Sequence, residues 1–167
     1  MEKFIVNMDE QHLFDFLLYH AYSKFSGFLV NILGFAVAIM GLLMYFTGKI
    51  TQHQIAFFAV AAVVFLAMMP LQLKLRAKNQ IKANMEFNQP VEYIFDEILG
   101  IDRVIGDETK HYSWTEIQRG VVTPKCIGLY FGSEDALILP KKDFGSAFLP
   151  VFEMTAKNLG KNHIRLN

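Results

Sequence analysis

No acidic residue occurs between Asp15 and Glu86. The only charges in that interval are Lys24, Lys49, Lys74, Arg76, Lys78 and Lys82. They leave two uncharged runs, Phe25 to Gly48 and Ile50 to Leu73. The apolar part of the first is GFLVNILGFAVAIMGLLMYFT over 27–47, and that of the second is IAFFAVAAVVFLAMMPLQL over 55–73. A helix needs about 20 residues to cross a hydrocarbon layer roughly 30 Å thick. The first run supplies them. The second suffices because Gln72 and Lys74 can snorkel to the headgroup zone. Burying two such runs in a soluble core would require a larger chain than these 167 residues. A transmembrane hairpin is expected, with membrane lipid as its first partner.

The order of the charges then sets the orientation. The formal net charge is zero, but the segments before, within and after the acid-free interval carry −3, +6 and −3. Lys3 and Lys24 precede the first span; Lys74, Arg76, Lys78 and Lys82 follow the second. Positive flanks stay on the cytoplasmic side, so both termini are expected in the cytoplasm of a multi-pass protein of the bacterial inner membrane. Lys24, Lys74, Arg76, Lys78 and Lys82 are the candidate contacts with the anionic inner leaflet, each contributing about 1 kcal/mol. Gly27, Gly34 and Gly41 recur every seven residues, which allows close approach of the second span or of another copy in a homo-oligomer. Asn31 adds polarity on the same helix, as an interhelical hydrogen bond or a functional spot. Pro70 removes one backbone donor from the second span.

The flanks read differently. Phe4-Ile5-Val6 is a short extended run, and Asp9 or Asn7 can cap a helix with an apolar stripe at Leu13, Phe14, Leu17, Leu18, Ala21 and Phe25. Gln11, His12, Asp15 and Ser23 fall on its other face. After Pro90 the period changes to two. Strands are expected at Val91–Phe95, Ile101–Ile105, Tyr112–Val122, Lys125–Phe131 and Ala136–Leu139, with turns at Gly100, Gly106-Asp107 and 132–135. A final helix over Asp143–Leu159, capped by Asp143 or Ser146 and ended by Gly160, would close this antiparallel sheet. The expected class is therefore a membrane α+β protein. Its segments are a strand and amphipathic helix (1–25), two spans (26–47 and 55–73) around an external turn (48–54), a basic linker (74–89) and a cytoplasmic sheet domain (90–167).

Three stretches carry a resemblance: Tyr112-Ser113-Trp114-Thr115-Glu116-Ile117, Ile127-Gly128-Leu129-Tyr130-Phe131, and Leu137-Ile138-Leu139-Pro140-Lys141-Lys142-Asp143-Phe144. With the two apolar runs, they make the chain resemble the YcxB-like family of bacterial membrane proteins over nearly its whole length. The resemblance implies two transmembrane helices and a C-terminal domain like a bacterial pleckstrin-homology (PH) fold. It implies no catalytic residues.

Nothing in the sequence points to chemistry. The histidines, His12, His20, His53, His111 and His163, lack metal-ligand spacing. Cys126 is the only cysteine, so no internal disulfide forms, and it reads as a small buried hydrophobe. The serines form no nucleophile elbow, and the glycines no phosphate loop. Asp96-Glu97, Asp107-Glu108 and Glu134-Asp135 fall at turns, where solvation accounts for them. Neither enzyme activity, cofactor nor nucleic-acid partner is expected. Trp114 reads as a core anchor of the sheet. The loop Asp96-Glu97-Ile98-Leu99-Gly100 joins the first two expected strands; it is acidic, which disfavours phosphoinositide headgroups. The expected function is a non-catalytic, membrane-anchored module that binds another cytoplasmic or membrane protein. The alternative is a small immunity or stress-protection protein acting against a toxin in the bilayer.

Overall fold

Strand β1 (Glu2–Val6) pairs antiparallel with β2 (Val91–Asp96), Glu2 opposite Phe95 and Val6 opposite Val91, although the apolar centre of the chain lies between them. This is seen in a computed structural model that describes residues 1–84, 87, 89–133 and 135–166, the side chains of 26–28, 161 and 166 apart. Strands β3 (Gly100–Ile105) and β4 (Glu108–Tyr112) complete a four-stranded antiparallel sheet in the order β1-β2-β3-β4. Its alternating burial follows the sequence: Val91, Tyr93 and Phe95 point into the core, whereas Glu92, Ile94 and Asp96 are only half-buried.

A second sheet has the order β7-β6-β5-β8, from β5 (Arg119–Val122), β6 (Cys126–Tyr130), β7 (Ala136–Pro140) and β8 (Ile164–Leu166). β8 runs parallel to β5, so this sheet is mixed. The sequence reading of one antiparallel sheet of five strands is thus corrected to two sheets of four. The expected strand Tyr112–Val122 is broken by a short 3-10 turn, Trp114–Glu116. Ser113 caps that turn: its hydroxyl accepts from the Thr115 amide at 3.2 Å, and the Glu116 carboxylate accepts from the Ser113 amide at 2.8 Å. This capping box satisfies donors that a continuous strand would have paired in a ladder. The chain changes sheet there.

Helix α1 (Glu10–Tyr22) starts where Asp9 accepts from the amides of Gln11 and His12, both at 2.9 Å. Its buried residues are His12, Leu13 and Phe16, whereas Phe14, Leu17 and Leu18 are half-buried. The apolar face is therefore rotated from the expected stripe, and His12 lies inside it. The reason lies in β6, where an added Cβ on Gly128 would sit 2.3 Å from the Phe16 ring. The missing side chain makes the slot for Phe16, whose ring stacks 5.6 Å from Tyr130. Alternate residues of β6, Ile127 and Leu129, join the core between the sheets. All five β6 residues are buried as a result.

That core holds Phe4, with Phe144 at 4.3 Å and Phe95 at 5.6 Å between ring centroids, and Val151 of helix α4 (Phe148–Leu159). α4 is shorter than the expected Asp143–Leu159. Its first residues form 3-10 turns, neither Asp143 nor Ser146 caps it, and Asp143 instead accepts from the Asn7 amide at 2.9 Å. Gly160 ends it at φ +79°.

The chain divides into two compact units, Met1–Phe16 with Ala77–Asn167, and Leu17–Arg76. The second unit holds α2 (Phe25–Phe46) and most of α3 (Gln52–Ala83). α3 includes Pro70 and continues through the basic stretch to Ala83, where Leu, Lys, Arg, Ala and Gln are all good helix formers. Both helices are long and apolar enough to cross a membrane. Their most apolar 18-residue windows have mean hydropathies of 2.2 and 2.3, yet only 11% and 6% of those residues are buried. A core helix of a soluble protein would be mostly covered.

Candidate interaction surface

A concavity of the sheet unit, with a volume of about 660 Å3, lies between the edge strands of the two sheets. Lys110, His111 and Tyr112 of edge strand β4 form one wall, and Ala136 and Leu137 of edge strand β7 form the other. β4 is exposed over Glu108–His111, and among the described residues its outer edge has no neighbouring strand within its sheet. Tyr112 and Phe131 stack at 4.7 Å across the base, and the Lys110 ammonium sits 5.0 Å above the Tyr112 ring. The His111 Nδ1 lies 2.6 Å from Asp102, and this hydrogen bond raises the imidazole pKa above its ordinary value. A narrower cavity of about 120 Å3 shares Arg103, Ala136 and Leu137 with this groove and reaches Val91 and Tyr93. Together they follow the side of β7 away from β6.

A second polar cluster binds α1 to the sheets. Asp9 contacts both the His12 ring, 2.5 Å away, and Lys142, 2.9 Å away. Burial opposes the Asp9 charge, but the hydrogen bonds from Lys142 and His12 outweigh it and hold this carboxyl well below the usual range. Asp15 accepts from the Thr123 hydroxyl at 2.5 Å. The Cys126 thiol faces the His12 carbonyl oxygen at 3.4 Å rather than the imidazole, and burial with the nearby Asp15 pushes it up to about 12. Burial and this upward shift both favour the neutral thiol over the thiolate. Among the described residues, no group of three His, Cys, Asp or Glu side chains could hold a metal.

The residues singled out in the sequence are distributed as follows. Lys24, Lys74, Arg76, Lys78 and Lys82 are all exposed. An added Cβ on Gly34 would meet Leu66 at 2.9 Å, and one on Gly41 would meet Phe58 at 2.5 Å, so both glycines lie against α3. Asn31 is half-buried, and the side-chain position of Gly27 lies outside the described residues. Trp114 is 8% exposed, with Phe95 at 6.1 Å. Asp96-Glu97 joins the second and third strands, not the first two, and solvation alone does not account for it: Asp96 caps the turn, and Glu97 pairs with Lys157. Glu134 lies outside the described residues.

The fold defines an α+β protein in which two long apolar helices are inserted between the paired strands of one sheet. The model of the YcxB-like protein family matches residues 100–150, from the start of β3 to the first turn of α4. This part of the chain is similar to that family, and it contains all three stretches that carried the resemblance. No curated protein and no solved structure matches the chain.

Proposed function

We propose that the chain is a non-catalytic protein of the bacterial inner membrane, in which a helical hairpin anchors a cytoplasmic PH-like module that docks another protein. The observation that carries the anchoring is the low burial of two long apolar helices; the β1–β2 pairing then carries the hairpin topology. Strands on either side of the apolar helices share one ladder, so they occupy one compartment. An even number of crossings between them follows, as a hairpin requires. The low burial of both helices favours lipid as their solvent. Two sheets with a helix packed on their common core support the PH-like reading, with β1 and β8 as additions to it. The partner's place is the groove between β4 and β7, because an unpaired strand edge offers backbone hydrogen bonds to an extended segment. Photocrosslinking from Thr109 in intact membranes tests this: one reproducible adduct is expected, and it is lost in a Lys110→Glu, His111→Glu variant. Absence of any adduct, or an adduct indifferent to those substitutions, argues against the groove.

A further inference from the structure

Between Ser26 and Tyr45, Asn31 is the only side chain of α2 with an N–H or O–H group. The nearest charge before it, Lys24, is seven residues away, about 10 Å along the helix axis. Its single methylene is too short a stem to lift the carboxamide over that distance, as the long stems of Lys and Arg can.

The neighbouring helix does not take this group up. α2 meets α3 at Gly34 and Gly41, where Leu66 and Phe58 occupy the space that a Cβ would need. Asn31 lies one turn before Gly34 and is half-buried. Among the described residues, its carboxamide has no hydrogen-bond partner. In water an asparagine needs none. In hydrocarbon no solvent supplies one, and an unpaired amide is costly.

We propose that Asn31 holds two copies of this chain together in the bilayer, each carboxamide donating an N–H to the oxygen of the other. The inference rests on the membrane anchoring proposed above. A carboxamide carries both donors and an acceptor, so it is complementary to itself. The lysine flanks give every copy the same orientation. Two copies therefore bring their Asn31 groups to the same depth, as a two-fold axis along the membrane normal requires. An unrelated helix has a polar group at that depth only by coincidence. The face of Gly34 and Gly41 is already covered by α3, so the two copies meet along the flank of α2 that carries Asn31.

The test uses the purified full chain in vesicles of phosphatidylethanolamine and phosphatidylglycerol. Copies carry a donor or an acceptor dye at Asp107→Cys, while the buried Cys126 is left in place. Energy transfer between copies is followed as lipid is added. Transfer is expected with Asn31 intact. The lipid-to-protein ratio at which half of it is lost should fall about tenfold in Asn31→Leu. It should stay near the original in Asn31→Gln, which keeps the carboxamide. Transfer no greater than random mixing at every ratio overturns the proposal. Equal midpoints for Asn31 and Asn31→Leu also overturn it, because association then runs through other side chains. So does a lower thermal midpoint of Asn31→Leu in a chain that shows no transfer. That result marks an amide turned onto its own hairpin, at the Leu66 carbonyl that Pro70 leaves without its helical donor. If alkaline carbonate strips the chain from the vesicles, the anchoring reading fails first, and this proposal falls with it.

Discussion

The Trp114 indole Nε1–H donates to the Asp96 backbone carbonyl at 2.9 Å, linking the 3-10 turn between the sheets to the turn that joins β2 and β3. Trp114→Phe keeps an aromatic ring beside Phe95 but removes the donor and part of the packed volume. A loss of about 2 kcal/mol is expected, read by denaturant unfolding of the full chain in detergent with far-UV circular dichroism. Amide exchange should accelerate at Ile98 and Leu99. An unchanged unfolding midpoint would show that the indole bond contributes nothing net.

Gly128→Ala tests the slot for Phe16. Its new Cβ would fall 2.3 Å from the ring, so helix α1 or strand β6 must shift. Overpacking of this kind costs about 1–3 kcal/mol. Adding Phe16→Leu should restore part of the loss, and failure of the pair to couple in a double-mutant cycle would refute the contact as the cause.

The two glycines of α2 should not be equal. Gly41→Ala places a Cβ 2.5 Å from the Phe58 Cβ, which cannot swing away, whereas Gly34→Ala meets the end of the Leu66 side chain at 2.9 Å. Gly41→Ala is expected to lower the thermal midpoint of the detergent-solubilised protein more than Gly34→Ala does. The reverse order would contradict this packing.

Asp9 gives a pH dependence with a defined sign. A carboxyl depressed in the folded state adds stability above its unfolded value, near 3.8, and loses it as pH falls below that value. Asp9→Asn should cost about 1 kcal/mol or less at pH 7, because the Asp9–Lys142 pair is half exposed. The gap to the wild type should narrow at pH 3. Equal gaps in the thermal midpoint at both pH values would exclude a role for the charge.

Cys126 should resist maleimide and disulfide reagents at pH 7.5 while the protein is folded and react fully once it is unfolded. Its thiol is buried and pushed up to about 12. Rapid labelling of the native protein would show that α1 opens from β6.

How far the sequence could be read depends on whether a signal is local. The apolar runs, the Asp9 cap and the alternation in Val91–Phe95 are carried by neighbouring residues, and the helices and strand lie there. The burial of Phe16 depends on Gly128, more than a hundred residues away, and no helical stripe can anticipate it. The capping box Ser113-Trp114-Thr115-Glu116 was present as a motif, but the apolar residues on either side read as one strand. The groove between β4 and β7 needs both sheet orders, and these are set by long-range pairing. The YcxB-like motifs marked the right segment because all three fall within residues 100–150: one at the end of β4 and its 3-10 turn, one along β6, and one running from β7 into the turn that follows.

The ladder between β1 and β2 also imposes an order of assembly. Synthesis delivers Glu2–Val6 first, but their neighbours Val91–Asp96 emerge only after residues 7–90 have been made. Phe4 and Val6, both core residues, must therefore wait unpaired through the making of both apolar helices. On the membrane reading, a nascent chain whose second helix fails to insert strands the two halves of the ladder on opposite faces of the bilayer. Its core then lacks those side chains, and the defective chain stays open to proteolysis. On that reading, the first sheet closes only in chains whose two helices have both inserted.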